Sequence, residues 1–309
     1  MWEVERRVNK DLSDSIPSEF SKTRVYEGRD FYFQLSPMIR LRDVTIHYPQ
    51  EEKVYYVSGK VREGPELKQA LNLGVDIHFE ETFPEKKADI VATGPNPKKI
   101  FAVAKGVSFQ TKMEDVVAIV LGNKVAYKGY SYLLVANGHG CMCTVIFDKF
   151  EKIDSYLRKT KKIFSEMVDL DVKKPRKIAG VGSFSVNSVF EKEGRLYVGE
   201  AAGLQDFLWG FGIKKALASG YLAAKSLIEK KDYQKIARDY FKDKFKASLV
   251  NRFLWEYFGF HDYSFILNVL ENADDPLEFL FSFHNFNFFQ RMLYPLASYH
   301  VKKEYRNLV

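Results

Sequence analysis

The sequence predicts an α/β fold in which one sheet is assembled from separated stretches, around an inserted antiparallel sheet and before a helical C-terminal region. Three observations predict it. Short strand and helix patterns alternate before residue 107 and return after residue 177, and the chain between them carries long alternating segments. After Asp232 the pattern is helical and rich in aromatic residues. The 309 residues, 46% of them hydrophobic, suffice for one large domain or two modest ones.

Before residue 107 the predicted elements are short. Residues 54–57 are β-branched and aromatic and predict a strand, and residues 65–73 predict a helix with a proline in its first turn. Residues 75–79 alternate apolar and polar side chains, as a half-buried strand does. A further strand is predicted over residues 87–94, where a run of glycine and proline ends it.

The central region predicts an antiparallel sheet. Three segments have the alternation of strands: 116–121, 130–136 and 141–147. The turn at residues 137–140 contains Asn-Gly and predicts a hairpin between the last two. Residues 153–168 follow as an amphipathic helix.

The two cysteines, Cys141 and Cys143, are expected to lie on one face of a strand. Because no further cysteines complete a zinc set, we expect a buried thiol pair in a reducing cytoplasm and no metal site. Neither a signal peptide nor an apolar run of about 18 residues is evident, which favours a cytoplasmic location.

The net charge of +7 leaves several kinds of partner open. Bases cluster at residues 158–162 and 173–177, but acids are interspersed and no nucleic-acid recognition motif accompanies them, so nucleic acid is not expected. A solvated helix face explains the first cluster. An anionic membrane surface, contacted peripherally, or a diphosphate group is the other candidate partner.

A strand at residues 195–199 runs into Gly199-Glu200-Ala201-Ala202-Gly203, and a helix with many small residues follows at 213–229. Glycine lets the backbone approach a planar ligand closely, and the acid can accept hydrogen bonds from sugar-like hydroxyls. The N-terminus of the helix stabilises negative charge. The pattern therefore favours a ligand site in this turn.

These residues resemble the third flavin motif of the geranylgeranyl-reductase and aromatic-hydroxylase group. That motif reads Gly-Asp-Ala-Ala-Gly, then Gly-x-Gly-Ile, then small residues in the next helix; here Gly210, Gly212 and Ile213 supply the middle part. Residues 88–94 are similar to a strand that such flavoproteins carry before their inserted sheet. The resemblance implies FAD as cofactor. It assigns the binding positions as follows: Glu5, Ala92, Thr93, Gly94, Gly199, Glu200, Ala201, Gly203, Trp209, Gly210, Gly212 and Ile213.

The resemblance divides the chain into three parts. The FAD-binding Rossmann-like domain would comprise residues 1–20, 65–106 and 178–231, the inserted sheet 21–64 and 107–177, and the helical region 232–309. Glu5 would end the second strand and hold the adenosine ribose, or would lie in a plain exposed N-terminus.

The sequence departs from the family in three places. No Gly-x-Gly-x-x-Gly turn precedes Glu5; if Glu5 ends the second strand, roughly 30 residues of the βαβ unit would be absent. A start assigned too late, a partner chain, or a decayed scaffold without flavin would each explain this. Glu200 stands where Asp is usual, and Tyr130 and Tyr132 replace part of a Tyr-x-Trp-x-Phe-Pro segment that lines the substrate cavity.

The implied activity is reduction of a carbon–carbon double bond in an isoprenoid or related lipid by hydride transfer from reduced FAD; the alternative is a scaffold or subunit without catalytic activity. Tyr130 and Tyr132 are the candidates for catalysis, either as proton donors or only as cavity walls. Trp209 would stack near the flavin or merely pack. The aromatic tail would line a lipid tunnel, contact a membrane or form an ordinary core. The electron donor is not identified by the sequence.

Overall fold

The computed structural model describes residues 83–114, 116–136, 138–259 and 285–308, with isolated positions at 74–76, 78, 263, 265, 269 and 272. Glu5, the strand predicted at 54–57 and the helix predicted at 65–73 lie outside the described residues, as does much of the strand predicted at 75–79. None of the described helices has the length and apolar character needed to cross a membrane.

The described residues form two sheets and the helices that cover them. The strands are β1 (Ile90–Val91), β2 (Ile100–Gln110), β3 (Val116–Leu121), β4 (Tyr130–Ala136), β5 (His139–Ile146), β6 (Lys173–Ser183), β7 (Glu191–Lys192) and β8 (Arg195–Tyr197). The helices are α1 (Ile153–Met167), α2 (Ile213–Glu229), α3 (Tyr233–Gly259) and α4 (Phe288–Glu304). The mixed α/β fold is as predicted.

The larger sheet is antiparallel in the order β3-β4-β5-β2-β6. The predicted strands and hairpin are confirmed, with Ala136 paired to His139 across a two-residue turn. Two strands of this sheet cross the predicted domain boundaries at 106/107 and 177/178, namely β2 and β6. The antiparallel sheet therefore begins earlier and ends later than the sequence placed it, because alternation in β2 is interrupted by small and charged residues and β6 opens with the basic cluster. The division into domains otherwise stays a prediction.

Helix α1 covers one face of this sheet, and a trio of hydroxyls is buried between them. Thr160 of α1 lies 2.6 Å from the hydroxyl of Thr144 and 2.7 Å from that of Ser131. All three residues are buried, and their hydroxyls satisfy one another. Buried hydroxyls cost little when they are paired, so this polar patch fixes the position of α1 on the sheet.

The other face of the sheet packs against α3, α4 and the loop before α2. Its core includes Tyr132, Cys141 and Cys143 from the sheet, with Phe207 from the loop and Leu249 from α3. Both cysteines are buried and form no disulfide, and they share this face as predicted. The face is thus a packed core across the strands that the structure describes.

The smaller sheet has the order β1-β8-β7, with β1 parallel and β7 antiparallel to β8. Strand β1 is shorter than predicted, because residues 85–87 form a 3-10 turn and only Ile90 and Val91 pair with β8. Helices α2 and α3 cover this sheet, and the Tyr233 hydroxyl donates to the Tyr197 carbonyl at 2.9 Å.

A buried charge cluster joins the two C-terminal helices to the loop before β4. The carboxylate of Glu256 accepts from Arg252 Nε at 2.9 Å and from the Tyr305 hydroxyl, and it lies 2.9 Å from His300 Nε2 and 3.3 Å from Lys128 Nζ. Burial acts to raise the pKa of Glu256. The charge of Arg252, the hydrogen bond with His300 and the charge of Lys128 outweigh burial and hold that pKa well below its usual range.

We expect Glu256→Gln to lose about 3–5 kcal/mol of unfolding free energy, because it leaves Arg252 buried without its counter-charge. The stabilisation by ionised Glu256 is full above about pH 4.3, the pKa of an unfolded glutamate, and is lost as the pH falls toward the lower folded-state pKa. Urea unfolding between neutral and acidic pH checks this. The control Glu229→Gln, in a partly exposed pair with Lys231, should change stability much less. Equal losses in the two variants would contradict the assignment.

Candidate functional site

The site predicted from the sequence is assembled where the parallel strands β1 and β8 end. Val91 pairs with Tyr197, and the Val198 N–H donates to the Val91 carbonyl at 3.0 Å. Residues 92–94 therefore leave the sheet beside Gly199, at the carboxyl edge where α/β sheets bind ligands. The two sequence segments singled out for the same ligand are adjacent in space.

Ser183, at the end of β6, connects these segments to the antiparallel sheet. Its backbone N–H donates to Glu200 Oε1 at 2.7 Å, and its hydroxyl accepts from the Asn96 N–H at 3.0 Å. The carboxylate expected to meet the sugar hydroxyls of a ligand thus also holds the protein together. Sequence reasoning missed this contact because a serine at the end of a strand carries no distinctive local signal.

Gly199 and Gly203 are required by protein packing. Both have positive φ, +56° and +77°. A Cβ on Gly199 would lie 3.1 Å from Cβ of Ala216 in α2, and one on Gly203 would lie 2.6 Å from Cβ of Ser185. The Gly199 N–H also donates to the Ser219 hydroxyl at 2.8 Å. The sequence argument attributed these glycines to a close ligand, whereas here neighbouring protein atoms fill the space.

Gly94 and Gly210 differ from that pair. Both again have positive φ, +83° and +80°, but a Cβ on either would meet nothing within 4 Å in the described part of the chain. Ala92 and Thr93, beside Gly94, are exposed. At these positions the backbone is open to a ligand, which fits the role that the resemblance implies.

The loop between Gly203 and α2 is held in place by Asp206. Its side chain accepts from the Trp209 N–H at 2.6 Å and from the Ser248 hydroxyl at 3.0 Å. Its backbone N–H donates to the Phe211 carbonyl at 2.6 Å. The loop is therefore a closed turn that is hydrogen-bonded to α3, and these bonds fix the backbone positions of Gly210 and Gly212.

Gln205 contributes a buried acceptor that the described residues leave unpaired. Only 6% of Gln205 is exposed, and its Oε1 has no hydrogen-bond partner among them. A Cβ on Gly182 would lie 2.6 Å from Oε1, and one on Gly212 would lie 3.2 Å from Cγ of Gln205. Leaving such an acceptor unpaired lowers the free energy of unfolding by about 1–3 kcal/mol, so the protein is destabilised by holding this amide in place. A polar residue between the buried Leu204 and Asp206 was the available sequence signal.

Helix α2 begins at Ile213, directly after the loop. Gly212 is its N-cap, and within the described structure no side chain caps that end. Lys215, in the first turn, donates from Nζ to the Gln205 carbonyl at 2.9 Å. The free N–H groups and the nearby ammonium make this end of α2 favourable to negative charge. Ala201 lies in the 3-10 turn 199–202 and is partly buried.

The aromatic candidates are all packed against protein. The Tyr130 hydroxyl donates to the Trp209 carbonyl at 2.6 Å, and the Trp209 ring meets Trp255 edge-on at 4.6 Å between centroids. Tyr132 is fully buried; burial and the nearby Cys143 raise the pKa of its hydroxyl well above the usual value. These contacts favour a structural role for Tyr130 and Tyr132, and packing for Trp209.

Similarity to known proteins was found among solved structures. No protein-family model and no curated sequence matches the chain. The flavin-dependent brominase Bmp2 is similar with a TM-score of 0.50 and 12% identity over 83% of this chain and 80% of the brominase. A triple mutant of that brominase gives a TM-score of 0.51 and 11% identity, over 82% and 80% of the two chains. At such identities the likeness shows a shared fold.

A geranylgeranyl bacteriochlorophyll reductase-like protein from Thermoplasma acidophilum is also similar. Its TM-score is 0.45 and its identity 17%, over 69% of this chain. The match spans only 55% of the length of the Thermoplasma protein.

We expect the two kinds of glycine to respond differently to alanine. Gly210→Ala should lose about 1–2 kcal/mol, because its positive φ is strained for any residue with a Cβ. Gly203→Ala has the same strain and also overlaps Ser185, so it should lose about 1–3 kcal/mol more. Urea unfolding measures both. Equal losses would show that Ser185 gives way and that packing does not select Gly203.

Proposed function

We propose that the chain is a flavoprotein oxidoreductase that binds FAD at the carboxyl edge of β1 and β8. The observation that carries the proposal is the spatial assembly of the flavin-like motif: the segment after β1, the turn 199–203 and the start of α2 meet at one edge. The fold shared with a flavin-dependent brominase supports it.

The described residues fit a flavin in three respects. Gly94 and Gly210 leave open space beside the backbone, where a flat ring can approach. The uncapped end of α2 and Lys215 favour the negative charge that a flavin ring gains on reduction. Gln205 holds a buried acceptor that suits a ligand N–H or O–H.

Within this site Glu200 has two tasks. Its Oε1 accepts from Ser183, which fixes the carboxylate at the edge of the sheet, and the side chain remains partly exposed. From this position Glu200 would accept hydrogen bonds from the ribityl hydroxyls of FAD, as the resemblance implies. The contact with Ser183 also accounts for the longer acid at this position, because the carboxylate must reach the neighbouring sheet.

The finer proposal is that the substrate is an isoprenoid or related lipid whose carbon–carbon double bond is reduced. FAD held by these residues would, in its reduced form, supply a hydride to one carbon of the double bond, and the other carbon would take up a proton. The motif resemblance supports this substrate class. Because Tyr130 and Tyr132 are enclosed by protein, we assign the proton to water reaching the open edge near Gly94 and Gly210.

The direct test of flavin binding is the visible absorption spectrum of the purified chain, followed by equilibrium dialysis against FAD. We expect a flavin spectrum or uptake of added FAD. Thr93→Leu should weaken FAD binding about tenfold or more by placing bulk in the open space, with the melting temperature unchanged because Thr93 is exposed. Ala224→Leu, an exposed position on α2, is the matched control. A colourless chain that takes up no FAD would overturn the proposal.

A second prediction concerns the buried amide. Gln205→Met, which is similar in volume, should leave the unfolding free energy unchanged or raise it by up to about 1–3 kcal/mol, because it removes an unpaired buried acceptor. The same change should weaken FAD binding in dialysis. A fall in stability with FAD affinity unchanged would assign Gln205 a purely structural role.

The reduction itself is tested anaerobically with dithionite-reduced, FAD-loaded protein and geranylgeranyl diphosphate as probe. Gain of two hydrogen atoms per reduced bond, seen by mass spectrometry, is the expected result. FAD uptake without such a gain would retain the flavoprotein and discard this substrate.

A further inference from the structure

The outward face of α4 carries a continuous stripe of large apolar side chains. Its members recur at helical spacing and are mostly exposed: Phe288 (79%), Phe289 (57%), Met292 (62%), Leu296 (59%) and Tyr299 (69%). With about 100° of rotation per residue, all five fall within a sector of roughly 100° on one side of the helix. This set of five residues is called the α4 stripe below.

The α4 stripe lies opposite the face of the helix that packs on the core. The buried positions of α4 are Gln290, Ala297 and Val301, and Tyr294 packs partly buried against the same core. Gln290 donates to the Asn251 side chain of α3 at 2.9 Å, so the inward face is satisfied by packing and a hydrogen bond. A surface helix ordinarily turns its large apolar residues inward. On α4 five large apolar residues are exposed in addition to those that pack inward, and exposed apolar stripes of this kind mark interaction surfaces.

The charges around the stripe indicate what covers it. Arg291, Lys302 and Lys303 are exposed on the same helix, and residues 285–303 contain no aspartate or glutamate. The sole acid of α4, Glu304, is its last residue. The charged side chains of residues 285–303 are therefore all positive, in a chain whose net charge is +7. An apolar helical face flanked by bases is complementary to a layer with an apolar interior and anionic headgroups.

We propose that α4 docks this chain onto the surface of an anionic lipid bilayer. The helix lies in the plane of the interface, with the α4 stripe among the upper acyl chains and Arg291, Lys302 and Lys303 at the headgroups. The 17 residues of α4 extend about 25 Å, enough for a lengthwise contact. No described helix is suited to crossing the membrane, which agrees with docking from one side. The inference is independent of flavin binding and goes beyond the proposed reaction.

Vesicle co-sedimentation of the full chain tests the proposal. With vesicles of equal parts phosphatidylcholine and phosphatidylglycerol the chain should pellet, and with phosphatidylcholine alone it should pellet much less. Added salt should weaken the anionic component. Met292→Ser combined with Leu296→Ser should reduce the affinity for anionic vesicles about tenfold or more, and Lys302→Glu with Lys303→Glu should abolish the preference for them.

Ile228→Ser provides the matched control, because Ile228 is 82% exposed on α2 and lies outside the stripe. It should bind vesicles as the parent chain does, and thermal melting should show all variants folded. Vesicle binding that is unchanged in the Met292/Leu296 variant would overturn the proposal. A parent chain that does not bind vesicles would also overturn it. This holds if the chain is a monomer, and equally if it is a dimer that the Met292/Leu296 variant dissociates. The dimer result would identify the stripe as a contact between copies.

Discussion

The hydrogen bonds at Ser183 fix the geometry of the candidate site. A buried N–H at the end of β6 needs an acceptor, and an unpaired donor there would cost about 1–3 kcal/mol. Glu200 supplies that acceptor from the turn after β8, while the Ser183 hydroxyl holds Asn96 of the segment after β1. One residue thereby ties the antiparallel sheet to both segments of the candidate site. The site sits at a junction between sheets, as binding sites of this fold class do.

The second place that the sequence suggested for a ligand, the sheet face with Tyr130 and Tyr132, is occupied by protein in the described structure. The sheet face that carries Tyr130 and Tyr132 is filled by the loop before α2 and by the C-terminal helices. The ionised Glu256 and its partners lock those helices to the loop before β4, because separating them would leave an uncompensated buried charge. The open backbone at Gly94 follows β1, at the carboxyl edge of β1 and β8 where we propose that FAD binds. Among the described aromatic residues of the tail, Phe245, Tyr294 and Tyr305 pack in this core, and Phe288, Phe289 and Tyr299 lie in the α4 stripe.

Periodicity predicted the regular elements well. The strands 116–121 and 130–136 and the helix 213–229 are found with the predicted bounds. The two strands are nearly continuous apolar runs of strand length, and the helix has small and apolar residues throughout. The bounds of a strand were predicted less well where they depend on hydrogen bonding to a neighbouring strand. Strand β1 is short because its described partner is a three-residue strand, and β6 became a strand through pairing with β2 despite its opening run of bases. Local sequence does not encode such a partner.

The sequence by itself determined the turn at 199–203 and the helix after it, since glycine, acid and small residues in a fixed order limit the backbone to a turn before a helix. It did not determine what each residue does there. Only tertiary structure decided that Ser185 and Ala216 fill the space at Gly203 and Gly199, while the space at Gly94 and Gly210 is open. It also decided that Gln205 is buried with its Oε1 unpaired in the described structure. Residue spacing along the chain fixes local conformation. Whether the space beside a residue is filled depends on side chains that are distant in sequence, and local sequence does not specify them.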